Sequence, residues 1–301
     1  MINLGVCAFN YNGWSLEESL RLCRDMGFEY VDVGGGQIGQ DAMVENPGKA
    51  GQRVREAIEK NDLVLSELFL NAVQVDGGGV LPTEADAGKR EKMLESFKAI
   101  CECAFLAGFK SVMGSSGPLG DPDKRETGLE TLRKMTETAA DNRLVFTVET
   151  GAGLYTDVAQ EVAREAPGLK YTLDYAHHLP TGRDLEGLLP LHEQTHHIHA
   201  KPAAPGLFKA FAHHSTTDWK RIMADLVERD WSGEIVMECI AYPVEDAGID
   251  RAAFLEIDTN WQPKPVDRSP ISHPVFQTVR LAYELQLALQ DALAEKGKAS
   301  E

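Results

Sequence analysis

The sequence predicts an α/β fold, the eight-stranded parallel (β/α)8 barrel, and three observations predict it. Short β-rich runs alternate with longer helical patterns eight times in succession, and such alternation implies a parallel sheet. A chain of 301 residues has the length that eight strand–helix units require. An open doubly wound sheet is the runner-up, but it usually carries a G-x-G-x-x-G turn after its first strand, and the turn here reads "FNYNGWS".

The first strand is expected in "INLGVCA" (2–8), followed by the helix "SLEESLRLCRDMG", where Ser15 can cap the N-terminus and Glu18 sits three residues on. "EYVDV" (29–33) precedes the helix around "GQRVREAIEK". "LVLSELFL" (63–70) precedes "EADAGKREKMLESFKAICECAFLAG". "KSVMG" (110–114) precedes "RETGLETLRKMTETAA", and "LVFTVE" (144–149) precedes "VAQEVAREA". "KYTLD" (170–174) precedes an expected helix in "RDLEGLLPLH", and "HHIHAK" (196–201) precedes "TDWKRIMADLVER". The eighth strand, "EIVMEC" (234–239), is separated by a long loop at 240–274 from a C-terminal helix at about 275–296. Residues 1–301 are thus read as one barrel domain. The "GGG" runs at 34–36 and 77–79 are read as loop glycines, because neither is followed by a P-loop lysine.

Composition narrows the function. An apolar content of 43% and a charged content of 26% are ordinary for a globular protein. The net charge of −17 disfavours phosphate backbones and anionic membranes as partners. Five cysteines form no disulfide framework at this density, and Cys101 and Cys103 are read as packing residues of one helix. The first residues lack the basic and apolar regions of a signal peptide. No apolar run approaches the roughly 18–20 residues of a membrane span, so a cytoplasmic setting is expected.

In such a barrel the active site lies at the C-terminal ends of the strands. Those ends form a series: Glu149 on the fifth strand, Asp174 on the sixth, His199 on the seventh and Glu238 on the eighth. Three carboxylates and one imidazole make a hard donor set that suits Mn²⁺ or Mg²⁺, with Co²⁺ as a further option, better than a thiolate zinc site. Without a cation the carboxylates would repel one another.

At these residues the chain resembles the xylose-isomerase-like TIM-barrel superfamily of sugar isomerases and epimerases. The match is to Glu149, the D-x-x-H of Asp174 and His177, the H-x-K of His199 and Lys201, and Glu238. The resemblance implies that Glu149, Asp174, His199 and Glu238 are ligands of a divalent metal, with Mn²⁺ the expected ion. It further implies that His177 holds a substrate oxygen and that Glu149 and Glu238 shuttle protons on opposite faces of the substrate. Two departures from the ketose 3-epimerases stand out. Tyr155 occupies the position where they often carry a second Glu, and "KPAAPG" replaces their Glu and Arg after the seventh strand.

A metal-stabilised enediolate would serve isomerisation or epimerisation of a sugar, the first reading. It would equally serve a lyase or dehydratase acting on a keto-sugar, 3-keto-glycoside or keto-acid. An abasic-site-type nuclease and a noncatalytic binding protein are the readings from other classes. The expected partner is a small neutral or keto-bearing sugar rather than a phosphosugar, since no Gly-rich phosphate turn follows the last strands. Nucleic acid and membrane are not expected partners. Lys201, Trp14 and Glu67 join His177 as candidate substrate contacts, and Tyr11 could stack beside Trp14. His197 shares a strand face with His199 one layer deeper, and His178 is read as a turn residue able to hold a substrate hydroxyl. His213 and His214 are read as solvated loop residues. Residues 240–274 carry five prolines and Trp261 and are expected to form a lid or subunit contact, with homo-oligomerisation anticipated.

Overall fold

The structure, a computed structural model, describes residues 1–11, 14–151, 153–166, 168–203, 215–239 and 274–299. The expected loop at 240–274 therefore lies outside the described residues save for its last position, as do His213 and His214. Ten strands are present among the described residues: β1 (Ile2–Cys7), β2 (Tyr30–Gly34), β3 (Val64–Phe69), β4 (Val73–Val75), β5 (Gly78–Val80), β6 (Ser111–Gly114), β7 (Val145–Glu149), β8 (Lys170–Asp174), β9 (Thr195–Ala200) and β10 (Gly233–Met237). All but β4 and β5 form a closed barrel in the order β1-β10-β9-β8-β7-β6-β3-β2. Closure is parallel throughout, with β1 pairing to both β2 and β10. Each expected barrel strand is present to within two residues of its expected ends.

The strands hold because both their faces are covered, as parallel sheets require. Their outward residues, such as Val31, Leu65, Val112, Phe146, Tyr171, Ile198 and Ile235, are buried and belong to one continuous apolar core. The helices supply the other half. They are α1 (Leu16–Asp25), the short α2 (Gly35–Ile38) and α3 (Gln40–Glu45), α4 (Pro47–Lys60), α5 (Ala87–Ala107), α6 (Pro122–Asp141), α7 (Thr156–Glu165), α8 (Trp219–Glu228) and α9 (Pro274–Ala299). The capping box read from the sequence closes α1: Ser15 accepts from the Glu18 amide, and Glu18 accepts from the Ser15 amide. Cys101 and Cys103 on α5 are both fully buried, as their reading as packing residues requires. Gly51 on α4 lets the two helices approach closely, since a Cβ there would stand 2.7 Å from the Cys103 carbonyl oxygen. No described helix is long and apolar enough to cross a membrane.

Two expectations need correction. "RDLEGLLPLH" forms no α-helix; its end is a 3-10 turn, Leu189–Glu193, with Pro190 in its first turn. The leucine spacing is helical, but proline withholds an amide and the preceding stretch is too short to nucleate without it. The glycines at 77–79 belong to a hairpin rather than an open loop. Strands β4 and β5 pair across Asp76 and Gly77, both at positive φ, as a two-residue turn between antiparallel strands demands.

The barrel interior is polar where it would ordinarily be packed with branched aliphatics. Glu67 on β3 is fully buried. It accepts hydrogen bonds from the hydroxyls of Ser111 (2.9 Å), Thr147 (2.7 Å) and Thr172 (2.8 Å), on the three strands that follow around the barrel. One carboxylate thus ties four adjacent strands together from inside. Its removal takes the shared acceptor from three hydroxyls in a closed space, with only Thr172 and Thr147 left to bond each other, at about 1 kcal/mol or more for each bond lost. Glu67→Ala should therefore lower stability by about 3 kcal/mol or more, measured by urea denaturation; a loss below about 1 kcal/mol would show that the hydroxyls find other partners.

Candidate metal centre

Four successive barrel strands, β7 to β10, deliver one metal-competent side chain each to the same rim. Glu149 and Asp174 are the last residues of β7 and β8, His199 is the penultimate residue of β9, and Glu238 follows β10 directly. Parallel register sets Asp174 opposite His199. One ligand atom from each of Glu149, Asp174, His199 and Glu238 can be chosen so that all lie within 4.8 Å of one another.

The local backbone decides which atoms are offered. Asp174 uses Oδ1 to accept from the Ala176 amide (2.8 Å) and so caps the 3-10 turn Tyr175–His177, which leaves Oδ2 facing the centre. That turn brings His177 back over the site, with Nε2 at 3.2 Å from Asp174 Oδ2 and 3.6 Å from Glu149 Oε1. Gly151, at φ 147°, makes the approach possible, because a Cβ there would stand 2.8 Å from the His177 ring. His199 turns Nδ1 to the rim, at 3.1 Å from Glu149 Oε1 and 2.9 Å from Glu238 Oε2. Its Nε2 turns inward, 3.4 Å from Asp32 Oδ2. Lys201 folds back among the carboxylates, with Nζ 2.6 Å from Asp174 Oδ2, 2.9 Å from Glu238 Oε2 and 3.6 Å from Glu149 Oε1.

Beneath the rim lies a second layer. Asp32 on β2 is fully buried and reaches across the barrel. Its Oδ2 pairs with His197 Nε2 at 2.8 Å, and its Oδ1 accepts from the Glu67 amide at 2.9 Å. Asp32, Glu67, His197 and His199 also cluster closely enough to suggest a ligand set. The oxygens of Asp32 and Glu67 are already engaged, however, by His197, the Glu67 amide and three hydroxyls, while His199 Nε2 makes no well-directed hydrogen bond among the described residues. This layer supports the rim.

The electrostatics follow from burial and pairing. Burial opposes ionisation of Asp32, but the His197 and His199 rings against it hold the carboxyl down at about 2. Burial likewise opposes the charge on Glu149 and Glu238, and the Lys201 ammonium overrides it, holding both below the usual carboxylate range. Burial disfavours protonated His199, yet Asp32, Glu149 and Glu238 raise its pKa well above the ordinary imidazole value.

The residues fit a divalent cation. Asp174 Oδ2 and Glu238 Oε2 are buried and accept no well-directed hydrogen bond among the described residues, despite the nearby ammonium. Three carboxylates and an imidazole nitrogen around one point form a hard donor set.

The structure brings Glu149, Asp174, His177, His199, Lys201 and Glu238 together. Two expected substrate contacts lie elsewhere. Glu67 is a layer below, its oxygens taken by hydroxyls. Trp14 is 49% exposed and packs on Tyr11, ring centroids 5.9 Å apart, with no ring contact to the centre among the described residues. Apart from the His197 ring at 5.4 Å, the rings beside His199 are the phenyl rings of Phe69 and Phe9, at 5.9 and 6.4 Å. His178, read as a turn residue, does end the 3-10 turn Tyr175–His177; it is fully buried, and neither ring nitrogen finds a hydrogen-bond partner among the described residues. Burial first, with His177 and Arg183, pushes it down to about 3. Asp32 is the buried carboxylate beneath the rim that sequence reading missed. The available signal was a carboxylate in the middle of "EYVDV", a strand covered on both faces.

Two outcomes are expected. Asp32→Asn removes the negative charge 3.4 Å from His199 Nε2 and should weaken Mn²⁺ affinity about 10–100-fold by calorimetry; unchanged affinity would mean that packing alone orients the ring. Gly151→Ala places a Cβ against His177 in a backbone region that disfavours side chains. It should cost about 1–3 kcal/mol in urea denaturation, and a neutral result would mean that the turn re-routes without strain.

A family model, the xylose isomerase-like TIM barrel, matches residues 20–257 of the chain. No curated protein matches it. Among solved structures, an L-ribulose 3-epimerase superposes with a TM-score of 0.72 at 14% identity, covering 100% of this chain and 99% of the other. D-psicose 3-epimerase from Clostridium cellulolyticum H10, solved with D-tagatose, gives 0.69 at 11% identity over 95% and 99%. A probable 3-DHS dehydratase from Bacillus anthracis gives 0.60 at 15% identity over 78% and 92%. At these identities the likeness shows a shared fold.

Proposed function

Because the chain belongs to the xylose isomerase-like TIM-barrel family, we propose that it is a divalent-metal-dependent sugar isomerase or epimerase that removes a proton next to a carbonyl. The observation that carries this reading is the convergence of Glu149, Asp174, His199 and Glu238 on one point of the rim. These four would hold the ion, Mn²⁺ by preference and Mg²⁺ or Co²⁺ as alternatives. When bound, the ion supplies positive charge beside the carbonyl oxygen and its neighbouring hydroxyl, which acidifies the adjacent C–H.

The chain's own residues do the rest. Glu149 and Glu238 come from the outer two of the four strands, so they flank the substrate, one taking a proton from carbon and the other returning one. Positive charge against them favours their ionised form, the state a base requires: in this arrangement Lys201 and His199 supply it, and a bound cation would do the same. His177, 17% exposed at the side chain, holds a substrate oxygen at the opening that it shares with Glu149. Phe9 and Phe69 offer an apolar wall for the C–H face of a sugar. Trp14 keeps a place only as an outer contact, and Glu67 acts as support beneath the site.

The substrate we propose is a neutral or keto-bearing sugar, in line with the sugars named for the structural neighbours. Elimination from a keto-sugar, 3-keto-glycoside or keto-acid is the second reading. It is favoured by Lys201, an ammonium inside the centre able to protonate a departing oxygen, and one neighbour is a probable dehydratase. A nuclease reading is disfavoured by the net charge of −17.

A panel of ketoses, 3-keto-glycosides, keto-acids and sugar phosphates in D₂O with Mn²⁺ tests the proposal by NMR. Deuterium should enter carbon next to a carbonyl in a non-phosphorylated member. Glu149→Gln and Glu238→Gln should each reduce that exchange by at least about 10²-fold, and chelation should abolish it. Full exchange in either variant would remove the proposed proton carriers, and exchange confined to a phosphosugar would overturn the substrate class.

A further inference from the structure

Lys201 follows β9 directly, two residues after His199, and folds back until only 5% of its side chain is exposed. Its ammonium stands 2.6 Å from Asp174 Oδ2, 2.9 Å from Glu238 Oε2 and 3.6 Å from Glu149 Oε1. These are the three carboxylates of the donor set. The two oxygens nearest to it are the same two that accept no well-directed hydrogen bond among the described residues. An ammonium is a compact point charge on a flexible stem, so here it neutralises oxygens that a divalent ion would need. Two cations drawn to the same buried oxygens repel each other strongly in a space that water does not screen.

We infer that Lys201 is an internal counter-cation that trades places with the divalent ion, and that the trade delivers its ammonium to the substrate. This rests on the metal-dependent reading above. In one arrangement Lys201 neutralises the carboxylates of Asp174, Glu238 and Glu149. In the other the ion takes those oxygens, and the lysine stem swings toward His177, whose Nε2 is already 3.4 Å from Nζ. The way out leads to the mouth, because Glu149 and His177 are the more exposed members of the cluster, at 20% and 17% of their side chains. There the ammonium meets the substrate oxygen that His177 also addresses. The order of loading follows: ion first, then substrate, because entry of the ion frees the lysine that completes the sugar site.

Two measurements test the trade with Mn²⁺ alone. By calorimetry, Lys201→Met should bind Mn²⁺ about tenfold or more tightly than the wild-type protein, since the competing charge is gone. Lys110→Met is the control: it removes one positive charge, from a pair with Glu234, and should leave the affinity unchanged. In crystals of the wild-type protein with and without Mn²⁺, the Lys201 Nζ to Asp174 Oδ2 distance should lengthen from 2.6 Å to beyond about 3.5 Å when the ion is present. This second measurement stands even if Lys201→Met fails to fold. Equal or weaker Mn²⁺ binding by Lys201→Met overturns the trade, as does a loaded crystal in which Nζ stays on Asp174. Mn²⁺ binding by Lys201→Met alone would also overturn it, because the lysine would then hold the site permanently. No Mn²⁺ binding by either protein would sink the metal-dependent reading itself.

Discussion

The pairing of Asp32 with the β9 histidines is the interaction on which the rest of the site depends. A carboxylate with no exposed surface in the middle of a barrel is tolerable only if it is paired and hydrogen-bonded. Asp32 meets that requirement through His197 and the Glu67 amide, and it lies against His199. In doing so it spans the barrel from β2 to β9. It also gives the two nitrogens of His199 different surroundings, a carboxylate below and the rim above. A ring held this way presents Nδ1 to the mouth, as carboxylate–histidine–metal arrangements require.

The same constraint explains why the interior is layered. Glu67 stands 3.9 Å from His199 Nε2, but its short contacts are with three hydroxyls on three strands. Serine and threonine are small enough to leave room in the barrel, and each donates one hydrogen bond. The layer replaces the interlocking aliphatics of an ordinary barrel with directed contacts. Stability at this level depends on complete satisfaction, since a partly satisfied polar network is worse than an apolar one. At the rim above, Asp174 and Glu238 each keep an oxygen that accepts no well-directed hydrogen bond among the described residues, and a protein retains such atoms where a ligand is to meet them.

Outside the barrel a further polar set holds the loop that carries the D-x-x-H motif. Tyr175, next to Asp174, bonds to His192, whose Nδ1 stands 2.7 Å from Asp225 on α8, and Asp225 also meets Arg229 at 2.6 Å. The chain beyond β8 forms 3-10 turns in place of a full helix. It is fastened by this set and by the packing of Tyr175 on Trp219. Asp174 and His177 therefore sit on a segment anchored from both sides, at the strand and at the outer helix layer.

The sequence by itself determined the fold and the four rim residues, because both are written in local order. Alternating strand and helix patterns admit few topologies, and equivalent positions at the ends of consecutive parallel strands must share one rim. Glu149, Asp174, His199 and Glu238 could be read in that way from "FTVE", "TLD", "HIH" and "ME". Only the tertiary structure decided what lies beneath and between them. Asp32 is 165 positions from the histidine with which it pairs, and no local pattern links the two. Glu67 looks like a strand-end carboxylate aimed at substrate until three distant hydroxyls claim its oxygens. The place of Lys201 among the carboxylates, the burial of His178 and the choice of Phe9 and Phe69 over Trp14 as the rings beside His199 are of the same kind. A strand's periodicity states which face a side chain takes; which partner it meets there is set by closure of the barrel, which brings together residues that are remote in the chain.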